Sequence, residues 1–475
     1  MGNKINAFTD DAMGTMDATA LAEAIATKKV SLQEVTEAAI ARAERVNPAL
    51  SAIVLKTYND AKNIERLNKN GAFYGVPTFV KDNDFMKGYP TQKGSDAFVS
   101  KISKSNSKYV DQFYSTGVNC LGKTTIPEFG FICSTENEKL YVTRNPWDTD
   151  HTTGGSSSGS GALVASGVVP IATANDGAGS TRIPAACCGL VGLKSTRKRV
   201  FYMQGTETLP VNIVYQGVLT RTVRDTALFY AEAEKYYHNK KLPKIGHVQE
   251  PLKKRLKIAF FENVPEGKQG HMDADTYRVQ LENAKLLEAL GHQVEMIKIP
   301  LDIEDITLHY LTYYGFLSYM TINFGRIAHG SKVNKAMVQD PFTKGIAGVF
   351  AGRKSKLISS IRTLTKAAKQ TEDEIYQKYD VIMTAVMTKT TPPIGYFSPL
   401  LSFDEIAWRG ADLATYLPLF NISGAPAISL PLGVSTDGKF PIGVQFVAPF
   451  GQDKLLLELA LEMEQANPWK FIYNQ

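Results

Sequence analysis

Cysteine is scarce in this sequence: four in 475 residues, Cys120, Cys133, Cys187 and Cys188, with no C-x-x-C pair. That count excludes a disulfide-stapled scaffold, and the spacing offers no thiolate metal site. The four read as small buried apolar residues in a reducing compartment. No uninterrupted apolar run approaches the roughly 18 residues that a membrane span needs. Met1 to Asp11 has no apolar core of the kind a secretory signal carries, and Asn6 stands where an N-myristoylation motif wants Ser or Thr. A cytoplasmic protein with no membrane partner is the expectation. Charge of one sign is lacking too: 53 basic against 47 acidic residues leave +6, without a block of like charge. A nucleic-acid partner would need a basic stripe, so none is expected.

What is present is ample apolar content, 44% of the chain, enough for a large core. Residues 1–70 read as helical. Ser31-Leu32-Gln33-Glu34 is a capping-box pattern opening an amphipathic run that ends near Asn47-Pro48. Gly75 to Asp82 reads as a short apolar strand closing on a Lys-Asp pair, and Val118 to Lys123 as another strand. Helix-sized Thr222 to Tyr237 precedes a Lys/Pro-rich joint. Strand Leu256–Phe261, helix Ala274–Leu290 and strand Gly291–Met296 then alternate. Residues 305–378 read as mostly helical and rich in aromatics. Strand signals return at Val381–Met383, Ala427–Leu430 and Gly443–Val447, followed by a last helix from Asp453 to Glu464. This βαβ-type alternation argues for an α/β fold, a sheet covered by helices on both faces.

The stretch Gly154-Gly155-Ser156-Ser157-Ser158-Gly159-Ser160-Gly161 allows close approach of backbone and ligand. A phosphate loop would end in Gly-Lys-[Ser/Thr], whereas Ala162 follows Gly161. A flexible linker is the plain alternative. Downstream, Asn175-Asp176-Gly177-Ala178-Gly179-Ser180-Thr181-Arg182-Ile183-Pro184 again surrounds a serine with small residues. Small residues before Ser180 can turn several backbone N–H groups toward one point, as an oxyanion hole requires; each such donor is worth about 3–4 kcal/mol of barrier. A serine there is a candidate nucleophile if something takes its proton. None of the seven histidines falls inside either Gly/Ser segment, which argues against a Ser–His–Asp triad. Lys81, at the end of an apolar strand, is the other candidate base, although taken alone it reads as an ordinary strand-end lysine. At its reference pKa a lysine is neutral in only about one molecule in a thousand at pH 7.4, but burial lowers that pKa by several units.

Three segments in order carry a resemblance: Gly75-Val76-Pro77-Thr78-Phe79-Val80-Lys81-Asp82, Gly155-Ser156-Ser157-Ser158-Gly159, and Asp176 to Pro184, with Ser156 and Ser180 standing 24 residues apart. Together they resemble the amidase signature family. Further matches are Gly122–Phe129, Arg144–Trp147, Gly189–Lys194, Asn421–Ala427 and Pro441–Gln445, so the resemblance thins only over 200–255 and 300–375. Thr181 replaces an aliphatic residue, Ala178 a common Gly, and Ser195 and Ala385 stand where Pro is usual. None of these removes a chemical group the chemistry needs.

The resemblance implies one amidase domain over 1–475 with a large mixed central β-sheet. Within it fall an N-terminal helical segment at 1–70, the signature core at 71–200, a variable helical pocket region at 305–378 and the C-terminal part of the core at 379–475. It also implies hydrolysis of a small linear, aryl or cyclic amide through an acyl-enzyme. Ser180 would be the nucleophile, Ser156, after a cis peptide, the relay, and Lys81 the base. The N–H groups of Gly177, Ala178, Gly179 and Ser180 would form the oxyanion hole, with Ser157, Asp176 and Arg182 as supports. No metal or organic cofactor is implied, and a homodimer stays open. The C-terminal stretch looks most like the branch of cyclic-dimer (nylon oligomer) hydrolases. Two other functions remain: the glutamine amidase subunit of a tRNA-dependent amidotransferase, disfavoured by Ala414-Thr415-Tyr416-Leu417, and a silent binding module on the same fold. The aromatics Tyr310, Tyr313, Tyr314, Phe316, Tyr319 and Phe324 read either as core or as a pocket wall.

Overall fold

The computed structural model describes residues 2–137 and 139–474, so Met1 lies outside it. Helix α1 (Ala18–Ala26) starts where the Asp17 side chain accepts the Ala20 amide. Helix α2 (Leu32–Leu50) starts on the capping box, both arms of which form between Ser31 and Glu34. It runs past its expected end near Asn47-Pro48. Pro48 sits in the last turn, Leu50 is fully buried, and Asn47 Oδ1 accepts the Ala52 and Ile53 amides at 2.8 and 2.9 Å. The expectation of helix throughout 1–70 also fails at β1 (Ile53–Lys56), whose partner strand lies far along the chain. Strands β2 (Pro77–Lys81) and β3 (Asn119–Thr124) complete a three-stranded sheet in the order β1-β3-β2, with β2 parallel to β3.

The Gly/Ser/Ala-rich region is regular structure. It forms α3 (Ser158–Ala165), β4 (Ile171–Asp176), α4 (Arg182–Cys188) and β5 (Val191–Lys194). Helix α3 is buried on every side. Its glycine content is what permits this, because a Cβ at Gly159 would stand 2.3 Å from the Ala52 carbonyl oxygen. Next come β6 (Tyr215–Thr220), α5 (Val223–Tyr236), β7 (Lys257–Phe261), α6 (Ala274–Ala289) and β8 (Gln293–Ile297). The aromatic region forms α7 (Ile303–Asn323), α8 (Pro341–Gly352) and α9 (Leu357–Thr371). Strand β9 (Val381–Ala385), α10 (Phe403–Leu413), β10 (Ala427–Val434), β11 (Pro441–Val447) and α11 (Asp453–Ala466) close the chain.

Eight strands make the large sheet, in the order β8-β7-β9-β11-β10-β5-β6-β4. Strand β7 pairs in parallel with β8 and β9, and every other pair is antiparallel. The sheet is therefore mixed, flanked by helices. The crossover β7–α6–β8 is the unit the alternation in the sequence predicted. The largest apolar cluster draws on residues from Ala7 to Met463 in α11. Among the described residues no helix is long and apolar enough to cross a membrane. One junction positions the site. Strand β2 of the small sheet abuts edge strand β4 of the large one, where Thr78 Oγ1 donates to the Ile171 carbonyl and the Lys81 amide donates to Thr173 Oγ1, both at 2.8 Å.

Candidate active site

That junction delivers Lys81 to the end of β4. Successive side chains on a strand face opposite ways, so Asp82 turns from Lys81 and pairs with buried Lys123 at 2.6 Å. Lys81 is 1% exposed. Its amine meets Ser156 Oγ at 2.8 Å, Ser157 Oγ at 2.9 Å and Asn175 Oδ1. Burial pulls its pKa down from 10.5 to about 7, against the opposing pull of the Asp84 and Asp176 carboxylates.

These contacts decide where the lone pair of an uncharged Lys81 points. Ser157 Oγ donates its own hydrogen to the Ser180 carbonyl at 2.6 Å, so toward Lys81 it can only accept. Asn175 Oδ1 carries no hydrogen, and its Nδ2 side is turned to Met203 Sδ at 3.4 Å. The two N–H bonds of the amine are thereby spent on Ser157 and Asn175. The lone pair is left for the hydroxyl hydrogen of Ser156. The Gly155–Ser156 peptide that presents this hydroxyl is cis.

Ser180 lies in the turn between β4 and α4, and Asp176 and Arg182 hold that turn. Their side chains, both fully buried, meet at 2.8 Å (Nη2 to Oδ1) and 2.9 Å (Nε to Oδ2). Burial alone would raise the Asp176 pKa; the Arg182 guanidinium and the Asn421 amide outweigh it and hold the carboxyl well below the usual range. Arg182 also donates to Asn421 Oδ1 at 2.6 Å, in the short helix Pro418–Ser423, and to Gln445 Oε1 at 2.7 Å, in β11, tying the turn to the C-terminal part of the chain.

Two features differ from expectation. The Gly179 N–H, expected in the oxyanion hole, donates to Asp176 Oδ1 at 2.8 Å and is engaged in shaping the turn. Gly179 has φ +115°, and a Cβ there would stand 2.3 Å from Leu417 Cδ1. Among the described residues no protein acceptor takes the N–H of Gly177, Ala178 or Ser180. Nor does a hydrogen bond join the hydroxyls of Ser156 and Ser180, although both residues line one cavity. A serine hydroxyl swings about χ1 at small cost, and such contacts commonly close as substrate binds.

Ser180 borders two cavities. One, of about 90 Å³, has an apolar wall that includes Ala178, Ile183, Ile306, Tyr310, Leu311 and Phe342. The other, of about 190 Å³, carries Ser156, Asn175, Gly177, Asn83, Lys93 and His329. Both readings of the aromatic stretch hold, for different residues, except that Phe324 is neither core nor cavity wall and stands 44% exposed. Tyr314 lines both cavities and Tyr310 the first. Tyr313 is core, its hydroxyl donating to the Val211 carbonyl, and Phe316 and Tyr319 pack edge-on against Phe350.

Sequence reasoning missed Asn175 as a partner of Lys81, Asn421 and Gln445 as partners of Arg182, and Lys93 and His329 as cavity residues. Strand alternation could have separated Asn175 from Asp176. Nothing in the sequence signals Lys93 or His329.

The sequence profile described as Amidase matches residues 34–457. The chain belongs to the amidase signature family. A protein of Mycobacterium leprae (strain TN) named as an amidase, AmiC, is 44% identical over 98% of both chains. The 6-aminohexanoate-cyclic-dimer hydrolase of Paenarthrobacter ureafaciens is 31% identical over 95% of both. A solved structure of 6-aminohexanoate cyclic dimer hydrolase with substrate superposes with TM-score 0.83 at 29% identity, covering 96% of this chain and 97% of that one. The protein is an amide-hydrolysing enzyme of this family.

Proposed function

We propose that the enzyme hydrolyses small amides with an apolar acyl group through an acyl-enzyme on Ser180, using Ser156 as relay and Lys81 as base. Ser180 Oγ attacks the carbonyl carbon as its proton passes to Ser156 and that of Ser156 to the Lys81 lone pair. The N–H groups of Gly177, Ala178 and Ser180 receive the developing oxyanion. When the C–N bond breaks, the nitrogen takes a proton from Ser156, which Lys81 resupplies, because an unprotonated amine is a poor leaving group. Water then repeats the sequence on the acyl ester. Ser157, Asp176 and Arg182 act as positioning residues.

The observation that carries this reading is a fully buried amine whose lone pair is left facing one serine in a cavity bordered by a second. The same geometry orients the substrate. Ser156 borders the larger cavity and not the smaller, so the nitrogen it protonates belongs in the larger, and the acyl chain belongs in the smaller, apolar one. A wall of Ile, Leu, Phe and Tyr suits an aliphatic or aryl acyl group, linear or cyclic, and fits poorly with the polar chain of glutamine. The test is a turnover screen of aliphatic, aryl and cyclic amides, esters and glutamine, with Ser180→Ala as the blank. Turnover of glutamine alone would replace this reading with the glutaminase one.

A further inference from the structure

We propose that Lys93 recognises a carboxylate on the amine half of the substrate, so that the preferred substrates are N-acylated amino-carboxylic acids. This rests on the amidase reading above, which places the leaving amine in the cavity bordered by Ser156. Lys93 borders that same cavity, and no Asp or Glu is among the described residues lining it. A cation facing a space without an anion is the complement of a negatively charged ligand.

The contacts of Lys93 leave it free for this role. Its backbone sits at φ +52°, in the left-handed region a lysine seldom adopts. There Asp82 Oδ2 accepts the amides of Gln92 and Lys93 at 3.1 and 3.0 Å. Asp82 is itself committed to Lys123. The Lys93 ammonium donates to His329 Nδ1 at 3.1 Å and to the Ala328 carbonyl at 3.5 Å, and no carboxylate of a described residue joins them. The Phe85 ring centroid also lies 5.7 Å from the amine; an ammonium carries three N–H bonds, so one has no nitrogen or oxygen acceptor and remains for a ligand.

His329 serves here as a prop. An ammonium only donates, so Nδ1 accepts and the ring is neutral. Burial, followed by the neighbouring Lys93 charge, pushes its pKa down to about 3. The ring stacks on Phe98 and Phe129, with centroids 4.9 and 5.3 Å apart. Asn83, which borders the same cavity, has a buried Oδ1 without a partner. That oxygen only accepts, and Nδ2 is turned to Met203 Sδ at 3.3 Å, so Asn83 suits an N–H of the ligand and leaves the carboxylate to Lys93.

The test compares N-hexanoyl conjugates of glycine, β-alanine and γ-aminobutyrate, each against the N-hexanoyl alkylamine of the same length. For at least one pair the wild-type enzyme should favour the acid in kcat/KM by roughly 10- to 100-fold, the range of a charge-assisted hydrogen bond. Lys93→Met should bring that ratio near one, and Lys93→Arg should keep most of it. Ratios near or below one for all three wild-type pairs, with the alkylamides turning over, would overturn the carboxylate assignment and leave the amidase reading standing. A preference that survives Lys93→Met would overturn it as well. No turnover of any amide, together with no fluorophosphonate labelling of Ser180, would strike the amidase reading first and this one with it.

Discussion

The protonation state of Lys81 is open to direct measurement through the pH dependence of kcat/KM on a neutral amide. With its pKa near 7, the amine is neutral in roughly a tenth of molecules at pH 6, half at pH 7 and nine-tenths at pH 8. The rate should rise about tenfold from pH 6 to pH 8 and level off by pH 9. An unburied lysine at 10.5 would give a rate still rising tenfold per unit at pH 9. Asn175→Asp sharpens the test. It places a carboxylate where Lys81 now meets a neutral amide oxygen. A negative neighbour favours the ammonium, so the Lys81 pKa rises and the neutral fraction at pH 7 falls. The limb should move upward by at least about one pH unit, with activity at pH 7 down about fivefold or more and regained in alkali. Asn175→Ala removes an acceptor without adding charge, and its loss of activity should persist in alkali. A flat wild-type profile from pH 6 to 9, or a limb unmoved in Asn175→Asp, would refute Lys81 as the base.

Three further outcomes are expected. Ser180→Ala should abolish fluorophosphonate labelling and lower kcat by at least about 10⁴-fold; retained labelling would place the nucleophile elsewhere. Arg182→Met should lower the unfolding free energy by about 3–5 kcal/mol in urea titrations, because it strands the buried Asp176 carboxylate. Asp176 is held below its unfolded pKa, so the stability it contributes is present above pH ~4 and lost on acidification below it; the variant should lose that part of the acid dependence. Gly159→Ala, which in an open helix gains about 1 kcal/mol, should instead destabilise by roughly 1–3 kcal/mol, since the new methyl meets the Ala52 carbonyl. A raised urea midpoint would contradict that packing.

Much was legible from the chain alone. The capping box at Ser31 and Glu34, the crossover of β7, α6 and β8, and the three linked motifs around Lys81, Ser156 and Ser180 are local patterns. Their physical meaning lies in short-range spacing, so they survive reading without coordinates. Strand β1 was missed because four residues form a strand only when a distant partner, here Asn119–Thr124, lies beside them. Strands β4 and β5 were hidden by small residues, whose weak propensity is outweighed by burial in the sheet.

The sequence by itself determined which groups are available: a lysine at the end of an apolar strand, two serines in glycine-rich turns, and an Asp–Arg pair flanking one of them. Only the tertiary structure decided what those groups are to one another. The contact of β2 with β4 buries Lys81 and lowers its proton affinity, and Ser157 and Asn175 consume its hydrogens so that the lone pair faces Ser156. Asp176 takes the Gly179 amide away from the turn's free donors, and Lys93 arrives at the cavity bordered by Ser156 and Ser180 from a loop that no motif marked. Hydrogen-bond direction and desolvation depend on neighbours many residues away, so they emerge only once the chain has folded.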